Sequence, residues 1–305
     1  MSIINMGWLN IYKPINITSS KTVLKIKKKF NLNKIGHAGT LDPRAEGILP
    51  IAIGSTTRII NYIEKKKKKY QFVIRWGEQT TTDDSEGQVI FFSKNFPQKK
   101  DIEKILPEYI GAIFQKPPKF SAVKVSGNRA YNLSRKNVQF DLKDRQVEIF
   151  SIKLLKTISK SESLFSIICG KGFYIRSFAR DIAIKLGTRG HIKRLKRQEV
   201  GIFNEKNSIL LDDLLKIRHL SPEIKGYFKS TVMLDDIPAF NVNDKEISEI
   251  QKGKEISISN LEHSFSNEIK TKTKTLVYAQ KNKEVVALGY IENNFFKPKK
   301  VLYKE

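Results

Sequence analysis

The sequence predicts a protein of mixed helical and β structure, because it contains segments with the two-residue period of strands and others with the period of helices. Residues 146–158 and 163–169 show the β-branched alternation that is typical of strands. Residues 178–186 instead place apolar side chains on one helical face, and Gly187 is expected to end that helix. With 305 residues, of which 40% are hydrophobic, the chain can form one large domain, or one large and one small domain.

The chain is strongly basic. Its 56 Lys and Arg residues exceed its 31 Asp and Glu residues and give a formal net charge of +25. This imbalance favours a polyanionic partner such as nucleic acid. A genome that favours lysine, isoleucine and asparagine codons would produce the same excess, so charge alone leaves both explanations open.

Cysteine content and hydropathy indicate the compartment. Cys169 is the single cysteine, which excludes a disulfide framework and fits a reducing environment. No apolar run approaches the ~18 residues of a membrane span. Residues 1–7 lack the long apolar core of a signal peptide. We therefore expect a soluble cytoplasmic protein.

A strand and a helix are predicted at the start of the chain. Residues 7–14 alternate weakly and end at a proline, which predicts a short strand followed by a turn. Ser19 or Ser20 is expected to cap a helix over residues 21–30. One face of this helix is apolar and the other is rich in lysine, which usually means a solvated face and here also suits phosphate.

Residues 36–54 form a segment rich in glycine and proline that carries a single aspartate, Asp42. Pro43 disfavours the α conformation at Asp42 and predicts an extended or turn conformation there. An apolar run over residues 49–54 follows and predicts a buried strand. A stiff loop against a core strand suits the presentation of a reactive carboxylate. The same features also fit a structural loop in which Asp42 caps or turns the backbone.

The middle of the chain is predicted to contain a strand, a turn and a helix. A run of lysines leads into a strand over residues 70–77, in which Tyr70 begins a face of aromatic and apolar side chains. Residues 80–87 indicate a polar turn without the ligand spacing of a calcium site. Residues 101–110 predict a short helix that an internal proline disturbs.

Two later segments have features that suit a functional site. Prolines, glycine and basic residues predict an exposed loop region over residues 115–131. Residues 173–176 lead from a strand end into a helix, and Arg176 lies at the start of that helix. An arginine there conflicts with the helix dipole, which favours anions at the N-terminus. A nearby carboxylate would remove this conflict, and Asp42 is the natural candidate.

The composition changes after residue 225. Residues 235–238 are a plausible linker, and short strands are predicted at residues 274–280 and 285–291. The chain has no Walker loop, dinucleotide fingerprint, zinc spacing or Ser-His-Asp arrangement, and its four histidines are too scattered for a ligand cluster. No cofactor and no metal are therefore expected.

Residues 37–50 read His-Ala-Gly-Thr-Leu-Asp-Pro-Arg-Ala-Glu-Gly-Ile-Leu-Pro. This pattern resembles the catalytic signature of the TruB-type tRNA pseudouridine synthases, and of their archaeal and eukaryotic relatives that work inside guide-RNA particles. Residues 172–177 and 195–201 resemble two later motifs of the same family, with Lys196 where an arginine is more common. The resemblance covers residues 7–203 well and the rest of the chain weakly.

The resemblance implies that Asp42 is the catalytic aspartate and that four further residues belong to the active site. Tyr70 would lie under the target base. Tyr174 and Arg176 correspond to the tyrosine and the arginine that line the active site of the family. Leu195 corresponds to an apolar leucine that would keep the pocket dry.

The resemblance also implies the fold and the domain organisation. The fold class would be α+β, with a mixed, mostly antiparallel sheet flanked by helices. A catalytic domain would cover residues 1–230 and would include an insertion, over about residues 115–145, that clamps the T-arm of tRNA. A small β-rich RNA-binding domain of the PUA-like type would cover residues 235–305.

The implied reaction converts a uridine in the T-loop of tRNA, at position 55, to pseudouridine. Asp42 could attack C1′ or C6 or take a proton from the sugar, and these three roles remain open. Arg176 would keep Asp42 ionised, and Tyr70 would assist proton removal at C5. Because the uridine is stacked in a folded loop, it must be flipped out, and His37 would enter the vacated space.

Two alternatives share parts of this pattern. One is the catalytic subunit of a guide-RNA particle, a class that works poorly without partner proteins. The other is a non-catalytic RNA-binding or tRNA-folding module that kept the fold. The preferred interpretation is an enzyme that acts on tRNA as a monomer without an obligatory protein partner.

Overall fold

The computed structural model describes residue 4 and residues 6–258 and 274–302. The elements of the first half are β1 (Gly7–Lys13), α1 (Ser19–Lys29), β2 (Ile35–His37), β3 (Ala45–Ile53), α2 (Ile60–Glu64), β4 (Lys68–Trp76), β5 (Glu78–Thr80), β6 (Val89–Phe92), α3 (Lys99–Ile105), β7 (Gly111–Gln115), β8 (Lys124–Val125), β9 (Asn128–Arg129), α4 (Ala130–Arg135) and β10 (Arg145–Ser159). They are followed by β11 (Glu162–Cys169), α5 (Ile175–Lys185), β12 (Gly190–Val200), β13 (Phe203–Asn204), β14 (Ile209–Leu210), α6 (Leu211–Lys216), β15 (Tyr227–Phe228), β16 (Ala239–Asn241), α7 (Asp244–Gln251), β17 (Ile256–Ser257), β18 (Thr275–Lys281), β19 (Glu284–Glu292) and β20 (Phe295–Val301). Turns of 3-10 helix occur at Gly54–Ile59, Leu106–Tyr109 and Ser230–Met233.

One large sheet, the main sheet, forms the framework of the chain. Its strands follow the order β14-β1-β3-β12-β4-β11-β10-β7, while β2, β13 and β15 pair with β3, β12 and β1. In the described residues its neighbouring strands are antiparallel except for the parallel pairs β1–β14 and β3–β12. The mixed, mostly antiparallel sheet that the resemblance implies is confirmed.

Helices flank the main sheet and bury its apolar faces. Alternate side chains of β4, from Tyr70 to Trp76, pack with α3 and α5 in one apolar cluster. Side chains of β1 and β3 pack with α1 and α6 in another. Alternate side chains of β4 therefore form one buried apolar face, as expected for a half-buried strand. None of the helices in the described ranges is long and apolar enough to span a membrane.

The start of α1 differs from the prediction, because Thr18, and not Ser19 or Ser20, caps the helix. The Thr18 side chain accepts a hydrogen bond from the backbone N–H three residues later, as an N-cap does. The Ser19 hydroxyl donates instead to Leu41 O at 2.9 Å and accepts from Leu41 N at 2.8 Å. Ser19 thereby ties α1 to the residue that precedes Asp42.

Residues 115–131 are not an exposed loop throughout. β7 ends at Gln115, which is buried, and the short hairpin of β8 and β9 leads into α4. Val123 and Ala130 are buried with Leu142 in a small apolar cluster of this segment. The loop prediction is therefore wrong for this part of the chain, because its prolines and glycine mark the turns of a segment that has its own core.

The C-terminal residues form a second sheet with the order β16-β18-β19-β20-β17. β18 and β19 confirm the two strands predicted at residues 274–280 and 285–291. Side chains of α7 pack against this sheet in an apolar cluster of their own. Within the expected C-terminal domain, residues 259–273 and 303–305 lie outside the described residues.

The two sheets pack directly against each other beside the predicted linker. One apolar cluster joins Trp8 and Ala38 of the first part to Val285 of the second. Lys66, which follows α2, pairs with Asp235 at 2.6 Å. The linker segment is therefore packed against the first part of the chain, and Ala38 of the Asp42 loop shares an apolar cluster with the second sheet.

Candidate active site

Asp42 lies on the loop between β2 and β3, and neighbouring segments hold the backbone of this loop. Leu41 is bonded to the Ser19 hydroxyl. Pro43 O accepts a hydrogen bond from Asn16 N at 2.7 Å. The Asp42 side chain is 30% exposed. A partly exposed carboxylate on a fixed loop can meet a substrate without further folding of the loop.

Arg176, in the first turn of α5, holds the Asp42 carboxylate with two donors. Its Nε lies 3.0 Å from Asp42 Oδ2, and its Nη2 lies 3.3 Å from Oδ1. This two-pronged arrangement suits the fork of a guanidinium and the two oxygens of a carboxylate. The carboxylate also offsets the unfavourable position of Arg176 at the positive end of the helix dipole.

The other contacts of Arg176 reach the segments on either side of the site. Nη1 donates to Thr82 O at 3.1 Å, and Nη2 also donates to Phe120 O at 3.1 Å. Asp84 Oδ2 lies 3.6 Å from Nε. Burial opposes the charged form of Arg176, but the carboxylates of Asp42 and Asp84 outweigh it and raise the pKa of the guanidinium above its ordinary value.

Asp84 is a site residue that the sequence pattern did not indicate. Residues 80–87 contain the predicted polar turn, but Asp84 is buried within it and accepts a hydrogen bond from Thr82 Oγ1 at 2.6 Å. A β-bridge between Asp84 and Ile192 holds the turn against β12. Turns rich in threonine, aspartate and glycine are common on protein surfaces, so the sequence of this turn does not indicate a site. Only the contact of Asp84 with Arg176 does so.

A small open cavity lies beside the Asp42–Arg176 pair. Its lining combines charged side chains with an apolar wall and consists of Asp42, Arg44, Ala45, Asp84, Ser85, Arg176, Ile192, Lys193 and Leu195. The structure thus brings three of the predicted site residues, Asp42, Arg176 and Leu195, around one space. The other three, His37, Tyr70 and Tyr174, are not part of this lining.

Tyr70 and Tyr174 lie in buried surroundings near the site. Tyr70 is 8% exposed and belongs to the apolar cluster of β4 and α5. Gln115 clamps the backbone of Tyr174, since it accepts from Tyr174 N at 2.8 Å and donates to Tyr174 O at 3.1 Å. Burial raises the pKa of both phenols, so both are neutral at pH 7.

His37 is the last residue of β2, where it pairs with Ile51, and is not part of the loop itself. Its Nδ1 is buried and has no hydrogen-bond partner among the described residues. Burial, reinforced by the positive charge of Arg197, lowers the pKa of His37. The imidazole is therefore neutral at pH 7 and offers a flat ring with an unused nitrogen.

Residues 27–175 match the family described as TruB family pseudouridylate synthase (N terminal domain). The tRNA pseudouridine synthase B of Ehrlichia ruminantium (strain Gardel) is 41% identical over 97% of this chain and 98% of its own length. The protein of the same name from Bartonella tribocorum is 36% identical over 97% of this chain and 95% of its own length. The one from Caulobacter vibrioides is 41% identical over 82% of this chain and 81% of its own length.

Solved structures share the fold. A chain from an H/ACA ribonucleoprotein bound to a substrate RNA containing 2′-deoxyuridine has a TM-score of 0.72 and 23% identity, and the match covers 99% of this chain and 86% of that chain. A chain from an archaeal box H/ACA small ribonucleoprotein complex has a TM-score of 0.72 and 24% identity, with 98% and 87% covered. At this identity the match shows the arrangement of both sheets and no more.

Proposed function

The chain belongs to the TruB family of pseudouridylate synthases, and we propose that it converts the uridine at position 55, in the T-loop of tRNA, to pseudouridine. The observation that carries the proposal is the Asp42–Arg176 pair at the edge of the cavity. A carboxylate held by two donors beside an apolar wall suits covalent or acid–base work at a sugar or a base. The names of the relatives that match nearly the whole chain support tRNA as the substrate.

The reaction is an isomerisation, because the product contains the same atoms as the uridine in a different arrangement of bonds. The N1–C1′ bond breaks, the uracil turns, a C5–C1′ bond forms, the C5 proton leaves and N1 takes up a proton. Asp42 supplies the carboxylate, either by attack on C1′ or C6 or by removal of a proton from the sugar. Each Asp42 oxygen has two lone pairs, so the contacts with Arg176 leave one on each oxygen for the substrate.

The other site residues hold the base and exclude water. Tyr70 acts as a stacking surface under the uracil rather than as a base, because its raised pKa keeps the phenol protonated at pH 7. Leu195 and Ile192 supply the apolar wall of the cavity. Asp84 shares Arg176 with Asp42, since one oxygen of each carboxylate lies near the same guanidinium nitrogen, Nε.

The uridine has to leave its stacked position in the folded T-loop, which requires a few kcal/mol. We assign His37 to the space that the base leaves, because its neutral ring can stack on neighbouring bases.

Residues 115–145 are proposed to contact the T-arm, as the resemblance implies. Their attachment to α5 supports this role, because Gln115 clamps Tyr174 and Phe120 O accepts from Arg176. RNA bound to this segment would therefore lie next to the site without a flexible connection between the two.

We further propose that the enzyme works in the cytoplasm as a monomer, without an obligatory protein partner or a cofactor. The free, buried thiol of Cys169 supports a reducing compartment. The chains of H/ACA particles share the fold, so independence from guide RNA has to be tested directly.

Tritium release from tRNA labelled at C5 of uridine tests the proposal. The purified chain alone should release a single equivalent per tRNA, and a transcript with cytidine at position 55 should release none. Release that requires guide RNA or partner proteins would support the particle subunit instead. Binding of tRNA without any release would support the non-catalytic module.

A further inference from the structure

Arg197 on β12 is a buried cation that the functional assignments above leave unused. Its side chain is 1% exposed and is among the largest fully buried side chains of the described residues. No carboxylate in the described part of the chain lies within ion-pair distance of its guanidinium. A buried charge is strongly unfavourable unless polar groups surround it.

Three carbonyl groups surround the Arg197 guanidinium, and they lie on both sides of Asp42 in the sequence. Nε donates to Ile48 O at 2.7 Å, Nη2 donates to Gly39 O at 3.2 Å, and Nη1 donates to Thr40 O at 3.4 Å. Gly39 and Thr40 precede Asp42, whereas Ile48 follows it. One planar group therefore bridges the two ends of the segment that carries the carboxylate.

Two glycines of the sequence motif permit this contact. At Gly47, φ is +111° and an added Cβ would lie 2.2 Å from Arg197 O, so only glycine lets β12 approach β3 here. Gly39 has φ +90°, a conformation that other residues rarely adopt. The backbone conformations of Gly39 and Gly47 therefore allow Arg197 to lie between β3 and β4.

We propose that Arg197 is a positioning residue, which fixes residues 39–48 so that the Asp42 carboxylate stays aligned with Arg176. The predicted effect on catalysis rests on the proposed function, whereas the effect on the loop does not. A guanidinium suits this place because its donors form a planar fork that meets three carbonyls, while a lysine has one nitrogen at the end of a flexible chain.

Single-turnover rates at saturating tRNA test the proposal with Arg197→Met, Arg197→Lys and the control Lys68→Met. Lys68 is also a buried cation held by carbonyls, since it donates to Glu64 O at 2.8 Å and to Lys66 O at 3.1 Å. Displacement of a reacting group by ~1 Å can lower a rate by about 100-fold, and we expect a loss of this size for Arg197→Met. Arg197→Lys should lose at least about tenfold, and Lys68→Met should stay within about twofold of wild type.

Amide hydrogen exchange of peptides that cover residues 38–48 provides a readout that does not depend on activity. Exchange should be faster in both Arg197 variants and unchanged in Lys68→Met. A folded Arg197 variant with the wild-type rate, or with wild-type protection of this segment, would overturn the proposal. If Arg197→Met does not fold, Arg197→Lys decides both measurements. An inactive wild type would overturn the proposed function, and the exchange result would still decide the role of Arg197.

Discussion

Arg176 and Asp42 meet fork to fork, with nitrogen–oxygen distances of 3.0 and 3.3 Å, although they are 134 positions apart in the sequence. The pair forms because the fold brings the loop before β3 and the first turn of α5 together. The same guanidinium donates to the carbonyls of Thr82 and Phe120. One side chain therefore joins the Asp42 loop, the polar turn and the segment that contains Phe120.

Arg176→Lys should lower turnover by well over tenfold while the protein remains folded. Lysine keeps the charge but has one nitrogen, which cannot serve both oxygens of Asp42 and two carbonyls at once. Steady-state turnover and thermal unfolding measure the two effects separately. Arg75→Lys is the control, because Arg75 pairs with Glu78 and Glu162 away from the cavity and should retain activity. Wild-type turnover in folded Arg176→Lys would show that Arg176 does not position Asp42.

His37→Ala should slow the reaction on a folded T-arm by about tenfold or more, because stacking in the vacated space contributes about 1–3 kcal/mol per base. The loss should be much smaller on an RNA whose target uridine is already unstacked. Both rates can be measured under single-turnover conditions. Equal losses on the two RNAs would exclude a role in flipping and would leave His37 a chemical or loop-folding role.

The affinity for tRNA should fall steeply with salt. If the chain, with its net charge of +25, neutralises about six phosphates, a plot of log affinity against log salt should have a slope of roughly −4 to −5. The lysine face of α1 is exposed and available for such contacts, whereas Lys66 and Lys68 are engaged within the protein. A slope near zero, measured by filter binding, would mean that the lysines reflect codon composition.

Lys68 should make stability rise with pH between about 8 and 10.5. Burial is the largest of the causes that lower the pKa of Lys68 to about 8, from 10.5 for an unperturbed lysine. The unfolded chain therefore binds the proton more tightly, and the unfolding free energy increases as pH rises between these two values. Below pH 8 both states carry the proton and the full penalty of burial remains.

Urea unfolding at pH 7.5 and 9.5 measures this contribution. The wild type should gain about 2 kcal/mol more than Lys68→Met between the two pH values. Lys13, whose pKa is also lowered to about 8 by burial, is present in both proteins and cancels in the comparison. An equal gain in the two proteins would contradict the assignment to Lys68.

Features that depend on local pattern could be predicted from the sequence. The alternation of β4 and the apolar face of α5 each encode one buried surface, and both elements occur where they are expected. The pairing of Arg176 with a carboxylate followed from the helix dipole, and the motif supplied Asp42 as the partner. The insertion was only partly predictable, because its small apolar core of Val123, Ala130 and Leu142 forms only when the segment folds on itself.

Features that depend on long-range contact could not be predicted. Asp84 lies in a turn of ordinary composition and becomes a site residue only through Arg176. Arg197 lies in a strand next to Lys196 and resembles a solvated residue until β3 and β4 enclose it. Ser19 was expected at the helix cap, but its hydroxyl instead bonds the backbone N–H and C=O of Leu41, next to Asp42.

A comparison of the wild type with Asp42→Asn tests most directly the central claim that Asp42 is the catalytic carboxylate. Asparagine keeps the shape of the side chain and removes its charge and nucleophilicity, so single-turnover formation of pseudouridine at position 55 should become undetectable. The affinity for tRNA should stay within about tenfold, because binding rests mainly on contacts between basic side chains and phosphates. Asp213→Asn, in an exposed ion pair with Lys216, should behave like the wild type. Pseudouridine formation by Asp42→Asn at a rate near that of the wild type would contradict the assignment of Asp42 as the catalytic carboxylate.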